Sequence, residues 1–165
     1  MGAVPGRSTR SLDVMKDIDW DALIPELKEW NSGAGIDPES WVGCEGNFRL
    51  ASAYSLIFWP HFIEHEGMIF RGETVPSSLP GFMKSCNGDR KTVEATINHI
   101  HILDLHYAGS PDASVERIVF LGNVLKEIYR VKLSAEFPGR NFVVEFYEPP
   151  DQNLQDYQIT FFQAP

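Results

Sequence analysis

"FVVEFYEPPDQNLQDYQITFFQ", residues 142–163, alternates in steps of two at both of its ends. Phe142, Val144 and Phe146 share one face of an extended chain, with Val143, Glu145 and Tyr147 opposite. Beyond a polar loop with two prolines, Tyr157, Ile159 and Phe161 face away from Gln158, Thr160 and Phe162. Two alternating segments joined in this way predict an antiparallel hairpin. One face is apolar. The other is half apolar, and is expected either to be covered by the helix before it or to form a recognition surface.

Upstream the period changes from 2 to 3.6. Val115, Ile118, Val119, Leu125, Ile128, Tyr129 and Leu133 predict a long helix near 111–136, opened by Ser110-Pro111 and closed by Phe137-Pro138-Gly139. Asp89 caps a predicted helix running through "RKTVEATINHIHILDLH", 90–106. "HFIEHEGMIFRG", 61–72, predicts an internal hairpin with its turn near Glu66-Gly67. Residues 76–88 suggest a loop with one short helix. Asn47 caps a predicted helix from 48 that Pro60 ends, and Asp37-Pro38 starts a short one. Trp20, Leu23, Ile24, Leu27 and Trp30 predict an amphipathic helix over 20–30, with Asp21 as cap and Pro25 in the first turn. The predicted class is α+β: a mainly helical N-terminal two-thirds with an internal β-hairpin, then a long helix and a C-terminal hairpin. The two hairpins are candidates to share one sheet.

A length of 165 residues suits one domain with its own core, here 12–165. Residues 1–11 read as a flexible tail: they hold no apolar run of signal-peptide length, and Gly6 stands where a myristoylation pattern needs Ser or Thr. No apolar run reaches the ~18 residues of a membrane span. Two cysteines and no export signal suggest reduced thiols and a cytoplasmic protein, a Cys44–Cys86 disulfide being the alternative. The phrasing of residues 142–163 resembles small bacterial proteins, which implies no activity.

Net charge is −9, which disfavours nucleic acid as a partner. Residues 13–45 carry nine acids against Lys16 and Lys28, whereas residues 117–140 carry five bases against Glu127 and Glu136. An exposed acidic surface steers a basic partner. Asp17, Asp19, Asp21, Glu26 and Glu29 are the candidates for steering, with Trp30, Trp41 and Tyr147 as candidate contacts; Trp20 belongs to the helical stripe and is expected in the core.

Catalytic constellations are weak. On a helix His99 and His106 lie on one side but about 10.5 Å apart along the axis, too far for one metal with bonds of about 2 Å. Only His101 and Asp104 are close enough to cooperate, and Asp104 falls within the apolar arc, where a carboxylate needs a partner. His61, Glu64 and His65 spell H-x-x-E-H, a zinc-peptidase pattern that needs a helix. On a strand the two histidines would stand about 13 Å apart. Cys44, between Gly43 and Gly46, would need a base to act as nucleophile. No cofactor is expected. The favoured expectation is an acidic protein-binding protein, such as an immunity-type inhibitor of a basic toxin or enzyme. The alternatives are a small metal-dependent hydrolase built on these histidines, or a structural subunit that self-associates along a hairpin edge.

Overall fold

The computed structural model describes residues 18–106 and 110–164; the tail expected at 1–11 lies outside them. Helix and strand are mixed, in the order α1 (Trp20–Leu23), α2 (Trp30–Gly33), α3 (Pro38–Glu45), α4 (Phe48–Phe58), β1 (Phe62–His65), β2 (Met68–Arg71), α5 (Leu79–Ser85), α6 (Arg90–Ile97), β3 (Ile100–His101), α7 (Val115–Glu136), β4 (Phe142–Tyr147) and β5 (Gln158–Gln163).

The C-terminal hairpin pairs in the alternation expected of it, Val144 opposite Phe161 and Phe146 opposite Ile159. Strand β3 adds to the far side of β5, in the order β3-β5-β4, all antiparallel. The internal hairpin turns at Glu66-Gly67, both at positive φ. Helix α7 lies on the apolar face of the sheet. Its buried stripe is Ile118, Gly122, Leu125, Tyr129 and Leu133, and it packs against Val144, Tyr157, Ile159 and Phe161. Gly122 permits the close approach, since a Cβ there would fall 2.2 Å from the Phe146 ring.

The other face of β5 is covered by α6, not by the long helix. Thr160 donates to the carbonyl of Ala95 at 2.6 Å, and Lys91 stands over the Phe162 ring. The hairpins form two separate sheets rather than one, but two polar side chains of α6 join them. Glu94 accepts from the amides of Ile69 (2.7 Å) and Gln163 (2.8 Å) and from the side chain of Gln163. Asn98 accepts from the Arg71 amide and donates to the carbonyls of Ile69 and Phe161. Glu94 and Asn98 are four residues apart, on one helical face, and both are buried. They satisfy backbone groups that a further strand would otherwise have to meet.

Three predicted helices are shorter than expected. Residues 20–30 do not form one helix. The residue before a proline avoids helical geometry, and Ile24 (φ −134°, ψ 74°) breaks the chain there into α1 and a 3-10 segment, Pro25–Glu29. Asp19, not Asp21, is the cap, accepting from the Ala22 amide. The helix at 90 stops at Ile97, where Asn98 turns to bind the strands and Ile100–His101 pair with β5; Ile102–Leu105 is a 3-10 turn. The long helix starts at Val115, not 111. Ser114 caps it, and the Arg117 guanidinium holds the carbonyl of Asp112 in the preceding turn.

Tyr129 is buried and accepts from Arg71 Nε at 3.1 Å while donating to the carbonyl of Ile57. Desolvation raises its pKa, against the opposing charge of Arg71. The folded phenol therefore keeps its proton where the unfolded one has lost it. Its contribution to stability is complete below the unfolded value, about pH 10, and is lost as pH rises through the higher folded value. The urea midpoint is expected to fall between pH 9 and pH 11, and to fall less in Tyr129→Phe.

Candidate functional site

The residues singled out as catalytic do not converge. His99 and His101 have edge-on rings 5.4 Å apart, yet each Nδ1 meets a carbonyl, of Thr96 at 2.5 Å and of Gln155 at 2.6 Å. A carbonyl only accepts, so both Nδ1 atoms carry the proton and each ring is fixed as a structural donor. His106 bonds the Tyr54 hydroxyl at 2.8 Å. Asp104 is exposed on its 3-10 turn rather than set in the apolar interior, and no hydrogen bond joins it to His101 among the described residues. The helix that would have turned it inward ends at Ile97. The carboxylate that does enter the core is Glu94.

H-x-x-E-H lies on and before β1, not on a helix. Glu64 is bound by the Arg140 guanidinium at 2.5 Å; His61 stands 3.9 Å from Glu73 and His65 3.9 Å from Glu66. Among the described residues no group of three or more His, Cys, Asp and Glu side chains is arranged to hold a metal ion. Cys44 is exposed on α3, and both cysteines are free thiols.

The expected steering acids divide. Asp17 lies outside the described residues. Asp19 caps α1, Asp21 pairs with Lys28 at 3.2 Å, and Glu26 stands 3.7 Å from Arg117. No salt bridge among the described residues reaches Glu29, Glu39 or Glu45. Trp30, Trp41 and also Trp20 are half-buried, and Tyr147 is exposed at one end of β4.

What the reading of residue types missed is the exposed apolar side chains that α3 and α4 carry. Neither helix has a buried residue, although α4 is predominantly apolar. Its inner side, Ile57 and Phe58, packs on the core. Its outer side presents Phe48, at 93 % exposure, with Leu56 and, just past the helix, Trp59; Leu50 and, on α3, Val42 are also exposed. The signal was in "FRLASAYSLIFW": apolar residues fall on every side of this helix, so one packed face cannot bury them all, and its one charge is Arg49. The face is anchored at its C-terminal end. Tyr129 and Arg71 hold the carbonyls of Ile57 and Leu56. Trp59 lies over the ammonium of Lys132, 4.6 Å from the ring centroid, and Lys132 is itself buried and paired with Glu136. A cation–π contact of this kind holds an exposed indole in one orientation.

Among the described residues no helix is long and apolar enough to cross a membrane. Comparison with protein-family models, with curated proteins and with solved structures finds no match to this chain.

Proposed function

We infer that this protein acts by binding another protein, one with a basic surface, through the face of α3 and α4. The observation that carries the reading is the set of exposed large side chains, Val42, Phe48, Leu50, Leu56 and Trp59, on and beside two helices that have no fully buried residue. Large apolar side chains left exposed in number on one stretch of chain are a mark of interaction sites. Glu39 and Glu45 rim it on α3, so it has the apolar centre and polar margin of an interface, with the sign of charge that suits a basic partner. Opposing a basic toxin or enzyme is the form of this function that the charge supports best. The acids at 19–29 then contribute to encounter, and α3–α4 supplies the contact.

Phe48→Ser and Leu56→Ser test the reading, since both side chains face water and their loss costs the fold little. The variants are expected to melt within a few degrees of the parent while losing about 30-fold in affinity for the protein that co-purifies with the parent, about 2 kcal/mol at an interface hot spot. Equal retention of that protein by parent and variants would overturn the reading. So would a parent that forms dimers through this face on sizing, with both substitutions returning it to monomer.

A further inference from the structure

A groove runs along the N-terminal segment, against α7 in one part and against α3 in the other. Its inner part, a cleft of about 270 Å³, is lined by Trp20, Trp41 and Phe120 together with Glu26 and Arg117. Its outer part, about 450 Å³, is lined by Trp20, Ile24, Asp37, Glu39 and Val42. Trp20 and Ile24 line both, so the two parts meet at those residues. Trp20 stands edge-on to Phe120, their centroids 5.6 Å apart.

The charge in the groove is negative. Among the described residues, Glu26, Asp37, Glu39 and Asp112 line it against the guanidinium of Arg117. That guanidinium is already engaged: Nε donates to the carbonyl of Leu23 at 2.7 Å, Nη1 to that of Asp112 at 2.7 Å, and Nη2 faces Glu26. It ties the N-terminal segment to α7 rather than offering itself to an anion. Hydrogen bonds from Ser40 and Ser110 hold Asp37 and Asp112 below the usual carboxylate range, so both stay charged in mild acid. Aromatic rings beside carboxylates favour an organic cation, which gains from the ring faces and from the negative field together. Val42, exposed at the rim, is also part of the apolar face of α3 and α4.

We propose that this groove receives a basic side chain, lysine or arginine, of the protein partner. Its alkyl stem lies along Ile24 and Val42 and its cationic head at Trp20, between Glu26 and Glu39. The site rests on the protein-binding reading above and adds to it an anchor beside the apolar face. It also gives Glu26 a role that long-range steering does not.

A tetra-arginine peptide is the probe, and a tetra-citrulline peptide, of similar shape without the charge, is its control. Binding is followed by the indole N–H signals of the four tryptophans in proton–nitrogen NMR spectra, assigned by substitution. Tetra-arginine is expected to move the signals of Trp20 and Trp41 and to leave that of Trp30 in place. Tetra-citrulline is expected to move none. The double variant Glu26→Gln/Glu39→Gln is expected to bind the arginine peptide about tenfold more weakly, while Glu127→Gln on α7 binds as the parent does. Equal binding of the citrulline peptide, or an unchanged affinity in the double variant, would overturn the proposal. A co-purifying partner that is lost with Phe48→Ser but held at full strength by the double variant would overturn the groove alone and leave the apolar face standing.

Discussion

Glu94→Gln is expected to lower the unfolding free energy by about 3 kcal/mol, although it changes the side-chain volume hardly at all. The carboxylate is buried, and all its partners are N–H donors: the amides of Ile69 and Gln163 and the side-chain amide of Gln163. A carboxylate meets donors with both oxygens; a carboxamide meets them with one, and turns an –NH₂ toward the rest. At least one buried backbone N–H then loses its acceptor and faces another donor. The cost is that of an unsatisfied buried group, increased by the loss of charge-assisted hydrogen bonds. For a chain of this size about 3 kcal/mol corresponds to a fall in Tm of roughly 6–12 °C. Urea unfolding at neutral pH gives the energy directly. Glu145→Gln, at an exposed position of β4 that no salt bridge reaches among the described residues, serves as a comparison and is expected to shift the midpoint far less. A Glu94 variant as stable as the parent would show that the two hairpins do not depend on this carboxylate.

Gly122→Leu is expected to be as damaging, and Gly122→Ala to cost about 1–2 kcal/mol, for a steric reason. An added Cβ would meet three atoms of the Phe146 ring at 2.2–2.7 Å. The ring has a neighbour in Tyr157, just before β5, centroids 6.2 Å apart, so it must leave its packing to make room. Helix propensity acts the other way, since alanine is favoured over glycine inside a helix by about 1 kcal/mol. The two terms are separable. In a Phe146→Ala background the clash is gone, and Gly122→Ala is expected to stabilise the protein. Thermal unfolding of the four members of the cycle measures the coupling. The same energy change in both backgrounds would mean that the helix does not rest on this ring.

Much of the architecture was legible because local chemistry decided it. Asp37-Pro38, Asn47 and Pro60 bound their helices where their capping and breaking chemistry places them, and Glu66-Gly67 turned its hairpin. Alternation at 142–163 set the register of the last two strands. What failed, failed where tertiary contacts compete with periodicity. "INHIHIL" keeps a helical spacing of apolar residues, but Asn98 gains three strand partners by ending the helix, and β3 gains a ladder with β5. Glu94 sits in a polar stretch of sequence, where nothing local marks it for burial. Its burial depends on strand edges at 69 and 163 that the residues around it do not announce. The candidate site was legible in a coarse sense only. The acids and tryptophans at 19–41 are where the groove lies, whereas the apolar face of α4 required knowing that no other element covers it.

The bridge made by Glu94 and Asn98 has a further effect, on solubility. Among the described residues, strands β2 and β5 each have a side on which no neighbouring strand follows through Ile69–Arg71 and Phe161–Gln163. Naked strand borders recruit other chains into fibrils and aggregates. Here carboxylate and carboxamide oxygens occupy the donors that an incoming strand would need, and the backbone of α6 stands across its approach. Partial melting of residues 89–98 would uncover both borders together, so the first product of heating this protein is expected to be precipitate rather than an open chain in solution.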